Sequence, residues 1–439
     1  MAPRPIRLIM ALALCRIVVT PAVPPITFRI VSSMNGYQFP SALLEGFPGL
    51  FYANATLAGT SQAAAIQITS RGATTVLATL PNMYNFLSTF VGGADGRFYT
   101  SVEYSSYPGY AFSVTSASGS GHNYPPQDFT PVFRQSLPKT EFLATGGGGN
   151  SGNLFLLKGG LNGAVTPIYQ FPPKVRPLSA IRGSDGSYYG IVATANSPVS
   201  YVFRITPSGT AAYLHNFAPN SFSTWDPAPL VQGPKGIFYG ALPTGGANHS
   251  GLIFSLTPGG SYSVLYTFST TDRGGPTTLI QASDGNLYGA AINYGGDSYL
   301  FRVTPSGQYS MLHSMNPGTD GICNCSLNQG SDGVIYGTSA AGGVHGGGTM
   351  FALDAGLPKP KPQALQFSPL SGPAGTQVLI WGYNLLAPSV QFNGAAATVV
   401  TGSGPQYVLA TVPAGAATGP VTVTTPGGSS TTQASFTVQ

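Results

Sequence analysis

The chain of 439 residues holds 13 carboxylates, five histidines and three cysteines from which acid–base, nucleophilic or metal chemistry could be built. Hydrolysis by paired carboxylates needs carboxylates to spare, and here they are committed elsewhere. Asp95, Asp185, Asp284 and Asp332 each stand before a glycine and four residues ahead of a tyrosine. An aspartate in such a turn accepts hydrogen bonds from its own backbone, so the recurrence is turn chemistry. His215 and His313 share one place in a recurring segment and read as structural. His249 and His345 share another, in "GGANHSG" and "GGVHGGG", but two imidazoles fall short of the donors a metal usually takes. Cys323 and Cys325, in "GICNCSL", are separated by one residue, a poor spacing for a disulfide, with no nearby Cys or His to complete a zinc site. They are expected to be two small loop residues, with a redox pair as the lesser alternative. There is no nucleophile elbow, P-loop, EF-hand loop or HExxH. The glycine run at 145–153 bridges two strands rather than opening a helix, which argues against phosphate binding. Neither a metal nor a cofactor is expected.

The spacing of these groups comes from a repeat. One landmark aromatic falls at Tyr52, Tyr99, Phe142, Tyr189, Tyr239, Tyr288 and Tyr336. A second, apolar landmark falls at Ile66, Phe112, Phe155, Phe203, Phe254, Phe301 and Phe351, and both recur every 43 to 51 residues. Two landmarks holding one period over seven copies mark a repeat architecture. Within the sixth copy, "PTTLIQA" reads as a strand, Asp284-Gly285 as a tight turn and "NLYGAA" as the next strand. A Gly-Gly loop then leads to the alternating strand "SYLFRVT", the turn "TPSG" and a fourth strand, "YSMLHSM". Four short antiparallel strands per unit, repeated radially, make a β-propeller. The expected fold is therefore all-β, a seven-bladed β-propeller. The fourth to seventh copies are clear and the first is recognisable. The second and third are degraded, with Lys139 where the third copy's turn glycine belongs.

The last copy lacks a fourth strand, whereas an orphan segment, "ITFRIVSS", precedes the first. Its Val31 lies 21 residues before Tyr52, like the gaps of 20 to 22 that separate Phe217, Phe268 and Met315 from the next tyrosine. Residues 26–33 are therefore expected to be the outer strand of the blade holding Tyr336 and Phe351, closing the ring without an exposed edge. The phrase "SDGNLYG…GG…FRVTPSG…LHSM" resembles the GloVer-type (choice-of-anchor) tandem repeat of secreted bacterial proteins, over roughly residues 26 to 356. The resemblance implies export and, in many members, an anchoring element near the C-terminus. It brings no catalytic residues with it.

After the Pro-rich linker at 357–363 the grammar changes to short Val/Thr strands. Pro369, Ser371, Gly372, Pro373, Gly375, Val378, Ile380, Gly382 and Asn384 resemble the IPT/TIG immunoglobulin-like domain, over almost all of residues 364–439. That implies a small β-sandwich after the propeller, which itself spans 23–356. No sorting signal follows Gln439, so any anchoring is expected to be indirect.

The net charge of +5 includes Arg4, Arg7 and Arg16, so the rest of the chain is near +2, too weak a field for nucleic acid. Residues 1–22 read as a signal peptide, with an apolar run from Leu8 to Cys15 and small residues up to Ala22. Ordinary export is preferred to lipidation at Cys15, because Leu14 stands where a small residue is needed. No other segment has the roughly 20 apolar residues of a membrane helix. A secreted or cell-surface monomer is expected.

Its "DG" and "TPSG" turns share one face and hardly vary among the clear copies, whereas the opposite face carries variable loops. There lie Tyr104, Tyr107, Trp225, Asp226, His249, Asp272, Arg273, Tyr294, Asp297, Asp320 and His345. Variable loops on a rigid scaffold concentrate function, and Tyr and Trp suit sugar rings or protein hot spots. Carboxylate scarcity favours a non-enzymatic binding or scaffold protein with a glycan or protein ligand. An extracellular glycosidase or lyase and a structural cell-surface component are the alternatives.

Overall fold

The computed structural model describes residues 25–439 except 39–42, 61, 81–82, 87–89, 93–96, 105–106, 115–118, 121–131, 138–140, 149–152, 161–164, 195–199, 218–226, 270–271, 273, 294, 324–325 and 401–403. The expected leader, Asp95, His122 and Lys139 fall outside the described residues. Among the described residues there is no α-helix, and each copy of the repeat forms one antiparallel sheet. The sixth is representative: Gly275–Gln281, Leu287–Ile292, Ser298–Val303 and Tyr309–Ser314 pair in sequence order. The degraded third copy keeps the same order through Val132–Leu137, Glu141–Gly148, Asn153–Gly160 and Val165–Gln170.

The repeated "YG…F" phrase is a packing lock. Gly190, Gly240, Gly289 and Gly337 lie directly across from Phe203, Phe254, Phe301 and Phe351. A Cβ on any of these glycines would run into the ring of its partner phenylalanine. Glycine there lets the ring lie flat over the neighbouring strand, so the two landmarks must recur together. In the fourth to sixth copies the second and third strands are largely buried on both faces, as in Phe238–Leu242, whereas the fourth is half-exposed. Both faces of each inner strand are covered because each apolar cluster spans two consecutive sheets. Tyr189 packs on Phe238 with centroids 4.1 Å apart, and Tyr52 on Phe98 at 4.3 Å. The last sheet meets the first in the same way, through Tyr336 and Phe51 at 4.5 Å.

Thr27–Ser33 completes the last sheet, pairing antiparallel with Thr349–Asp354. The register corrects one detail of the sequence argument. Fourth strands bulge at Leu77, Ile168, Leu214, Leu265 and Leu312, and the N-terminal strand bulges at Val31. Val31 thus matches Leu312. The counterpart of Phe217, Phe268 and Met315 is Met34, which is buried like them and lies 18 residues before Tyr52. The amide of Met34 donates to Gly348 O, as that of Met315 does to Ser298 O. Rings also stack in sequence along these outer strands: His215 on Tyr262, Tyr266 on Tyr309, and His313 on Phe28 of the N-terminal strand.

Cys323 is a second correction. It is buried and disulfide-bonded rather than a free small loop residue, and its amide donates to Ser298 Oγ. The C-terminal region forms two sheets, the first built around Gln377–Tyr383 and the other around Gly419–Thr425 and Gly428–Val438. Phe367, Val378, Ile380, Phe392, Val408 and Phe436 fill the space between them. The immunoglobulin-like sandwich is therefore present.

Candidate functional site

Antiparallel order puts the first-to-second and third-to-fourth turns at one end of each four-stranded sheet that runs in sequence order. At this turn end the contacts repeat. Asp185, Asp284 and Asp332 each accept from the amide two residues on and from the tyrosine hydroxyl four residues on, at 2.8 to 3.0 Å. The aspartates are structural, as expected. Burial and then the Asp185 carboxylate push the Tyr189 hydroxyl up to about 12. Burial works to raise Asp185, but Tyr189, Ser187 and Arg204, at 3.0 Å, hold its carboxyl below the usual range.

A second contact at this end went unseen in the sequence. Gln232 accepts from the Ser184 amide and donates to Ser184 Oγ of the preceding sheet. Gln329 does the same for Ser283. Between the last sheet and the first, Glu45 takes this place, accepting from the Ser331 amide and hydroxyl. The signal was the residue facing the position before each landmark tyrosine: Glu45, Arg182, Gln232, Gln281 and Gln329. Burial pushes the Glu45 carboxyl up, against hydrogen bonds from Gly49 and Ser331 that pull it down.

The linker also lies on the turn end. The carbonyl of Pro358 accepts from Ser283 Oγ at 2.5 Å and from Gln329 Nε2 at 3.2 Å. Gly333, at φ +98°, has the Leu357 carbonyl where a Cβ would sit, so only glycine admits this approach. Between the sheets and the sandwich is a cleft of about 150 Å³, with Glu45, Gln329 and Ser331 on one wall and Tyr383, Leu386 and Gln406 on the other.

The loops at the opposite end are braced one by one. Asp320 accepts from the Asn316 amide at 3.0 Å and the Thr319 hydroxyl at 2.8 Å, and pairs with His313 Nε2 at 2.9 Å. Burial works to raise Asp320, but these partners outweigh it and hold its carboxyl below the usual range. Asp272 has the same role in the preceding copy, accepting from the Tyr266 hydroxyl and from the Ser269 amide and hydroxyl. Asp297 is tied to Asn293 by two hydrogen bonds and stays exposed. His249 and His345 are exposed on their loops, His249 with φ +54°. The His345 loop joins the Asp320 loop through Gly343 N donating to Pro317 O. Tyr104 and Tyr107 are register partners across a hairpin. Trp225, Asp226, Arg273 and Tyr294 lie outside the described residues. No cluster of three metal-ligating side chains occurs among the described residues.

Residues 176–360 match the family model of the Gloeobacter/Verrucomicrobia repeat, and residues 362–438 match the IPT/TIG domain. No curated protein matches the chain in sequence. Among solved structures, it is similar to a catalytically inactive virginiamycin B lyase from Staphylococcus aureus with quinupristin, at 14% identity and a TM-score of 0.54. That match covers 75% of this chain and 99% of the lyase. It is also similar to the BP39L lectin from Burkholderia pseudomallei, at 12% identity and a TM-score of 0.52, covering 71% of this chain and 94% of the lectin. These likenesses show a β-propeller-like fold and nothing of the chemistry.

Proposed function

We propose, for a chain that belongs over residues 176–360 to the Gloeobacter/Verrucomicrobia repeat family and over 362–438 to the IPT/TIG domain family, an exported, non-enzymatic role in glycan binding. The seven sheets close into a seven-bladed ring through Thr27–Ser33, with the propeller over 23–356 and the sandwich over 364–439. The observation that carries the reading is the position of the linker, which packs on the turn end at Ser283, Gln329 and Gly333. The loop end is the face left for a ligand. Its described carboxylates Asp272 and Asp320 are spent on bracing loops, which suits a preorganised binding surface better than an acid–base pair. The aromatics Tyr104, Tyr107, Trp225 and Tyr294 supply platforms for sugar rings, with Asp226, His249, Arg273, Asp297 and His345 as polar partners.

Residues 1–22 act as the export signal, and a disulfide at Cys323 suits an oxidising compartment. Among the described residues no helix is long and apolar enough to cross a membrane. The protein works as a monomer. A glycan array combined with a reducing-end release assay tests the reading. Capture without release is expected. Release of sugar would make the protein a carbohydrate-active enzyme, and capture of no glycan would end the proposal.

A further inference from the structure

The cleft between ring and sandwich lies away from the loop end, and its chemistry is of a different kind. Glu45, only 4% exposed, stands where three other copies have the neutral Gln232, Gln281 and Gln329. The local turn explains the need for acceptors. Gln281 and Gln329 donate to the turn carbonyls of Gly285 and Gly333, whereas in the first copy the Gly49 amide donates to Glu45. Gly49 and Ser331 place three hydrogen bonds on the carboxylate, which leaves one acceptor position open.

Among the described residues lining the cleft there is no Lys, Arg or His. Asp332, a second carboxylate, also acts on Glu45, and burial and this repulsion both disfavour its charged form. A cation in the cleft would offset both. The facing wall adds Gln406, whose Oε1 is buried with no hydrogen-bond partner, beside the ring of Tyr383 and the side chain of Leu386. Unfilled acceptors on both walls and an apolar, aromatic surface between them complement a cation that carries N–H donors and a short hydrocarbon body.

We propose that this cleft binds a small organic ammonium ion, its N–H groups donating to Glu45 and Gln406 and its hydrocarbon body lying against Tyr383 and Leu386. The site is independent of the glycan reading. The test is a titration of butylammonium, and of uncharged butan-1-ol, into the full chain at neutral pH by ligand-observed NMR. Butylammonium binds saturably and butan-1-ol does not. Glu45→Gln weakens butylammonium at least about tenfold, on the scale of a lost buried charge partner. Gln406→Leu, on the sandwich and clear of the Ser331 contact, weakens it about threefold or more with an unchanged melt, and decides the matter should Glu45→Gln fail to fold. Absence of saturable binding, equal binding of the alcohol, or full binding by folded Gln406→Leu would overturn the proposal.

Discussion

The two ends of the sheets are built by different rules. At the turn end the same contacts recur from copy to copy: aspartate to tyrosine within a sheet, glutamine or glutamate to serine between sheets. At the loop end the bracing repeats only in part: Asp272 with Tyr266 and Ser269 and Asp320 with His313 and Asn316 share one arrangement in two copies, with different residues in it, whereas Asp297 is tied to Asn293 alone. A contact that seals neighbouring sheets must repeat wherever a sheet has a neighbour. A loop that seals nothing is free to differ. Repetition therefore marks structural residues here, and departure from it marks candidates for function.

The largest effect should come from breaking the seam where the repeat closes. Deleting residues 23–34 removes the strand that pairs with Thr349–Asp354 and exposes Phe351 and Met350. Insolubility or a melting point lower by at least about 10 °C is expected, at roughly 2–4 °C per kcal/mol for a chain of this size. An unchanged melt would refute the closure. Next comes the lock inside a sheet: Gly289→Ala drives a Cβ into Phe301 and should cost about 2 kcal/mol in denaturant titration. A loss below ~0.5 kcal/mol would mean that the ring yields freely.

Smaller again is Tyr336→Phe, which removes one hydroxyl bond to Asp332 at the turn end and should cost about 1 kcal/mol by the same titration. The smallest effect belongs to the loop end. Because the folded pKa of Asp320 is lowered, its stabilisation is present above the ordinary value of 3.8 and is lost as pH falls through the folded value. Asp320→Asn should therefore melt slightly below the wild type at pH 6 to 7, with the difference vanishing in acid. A deficit that grows in acid would contradict the bracing.

The repeated portion of the fold was legible because turn and lock chemistry leave fixed residues at fixed intervals, such as Asp284-Gly285 and Gly289 with Phe301. Even the closing strand could be found, although counting from Val31 instead of Met34 used a bulged residue as the landmark. Bulges shift register without leaving a mark in composition. The Gln232–Ser184 contact stayed hidden because polar residues 48 positions apart become neighbours only once sheets pack face to face. Glu45 and Gln406 are farther apart still and line one cleft from two domains. Asp272 and Asp320 read from the sequence as loop residues, but their bracing role depends on Tyr266 and His313 pointing to that end of the fourth strand.

The central contrast is most directly tested by capture of the array-identified glycan by three proteins: wild type, the double variant Trp225→Ala with Tyr294→Ala, and the turn variant Asp284→Ala. The double variant should lose capture while its melting point stays within about 1 °C, since surface substitutions rarely move stability by more than ~0.5 kcal/mol. Asp284→Ala should melt lower yet still capture glycan when folded. Capture retained by the double variant, or lost only in the turn variant, would place the ligand at the turn end and contradict the account.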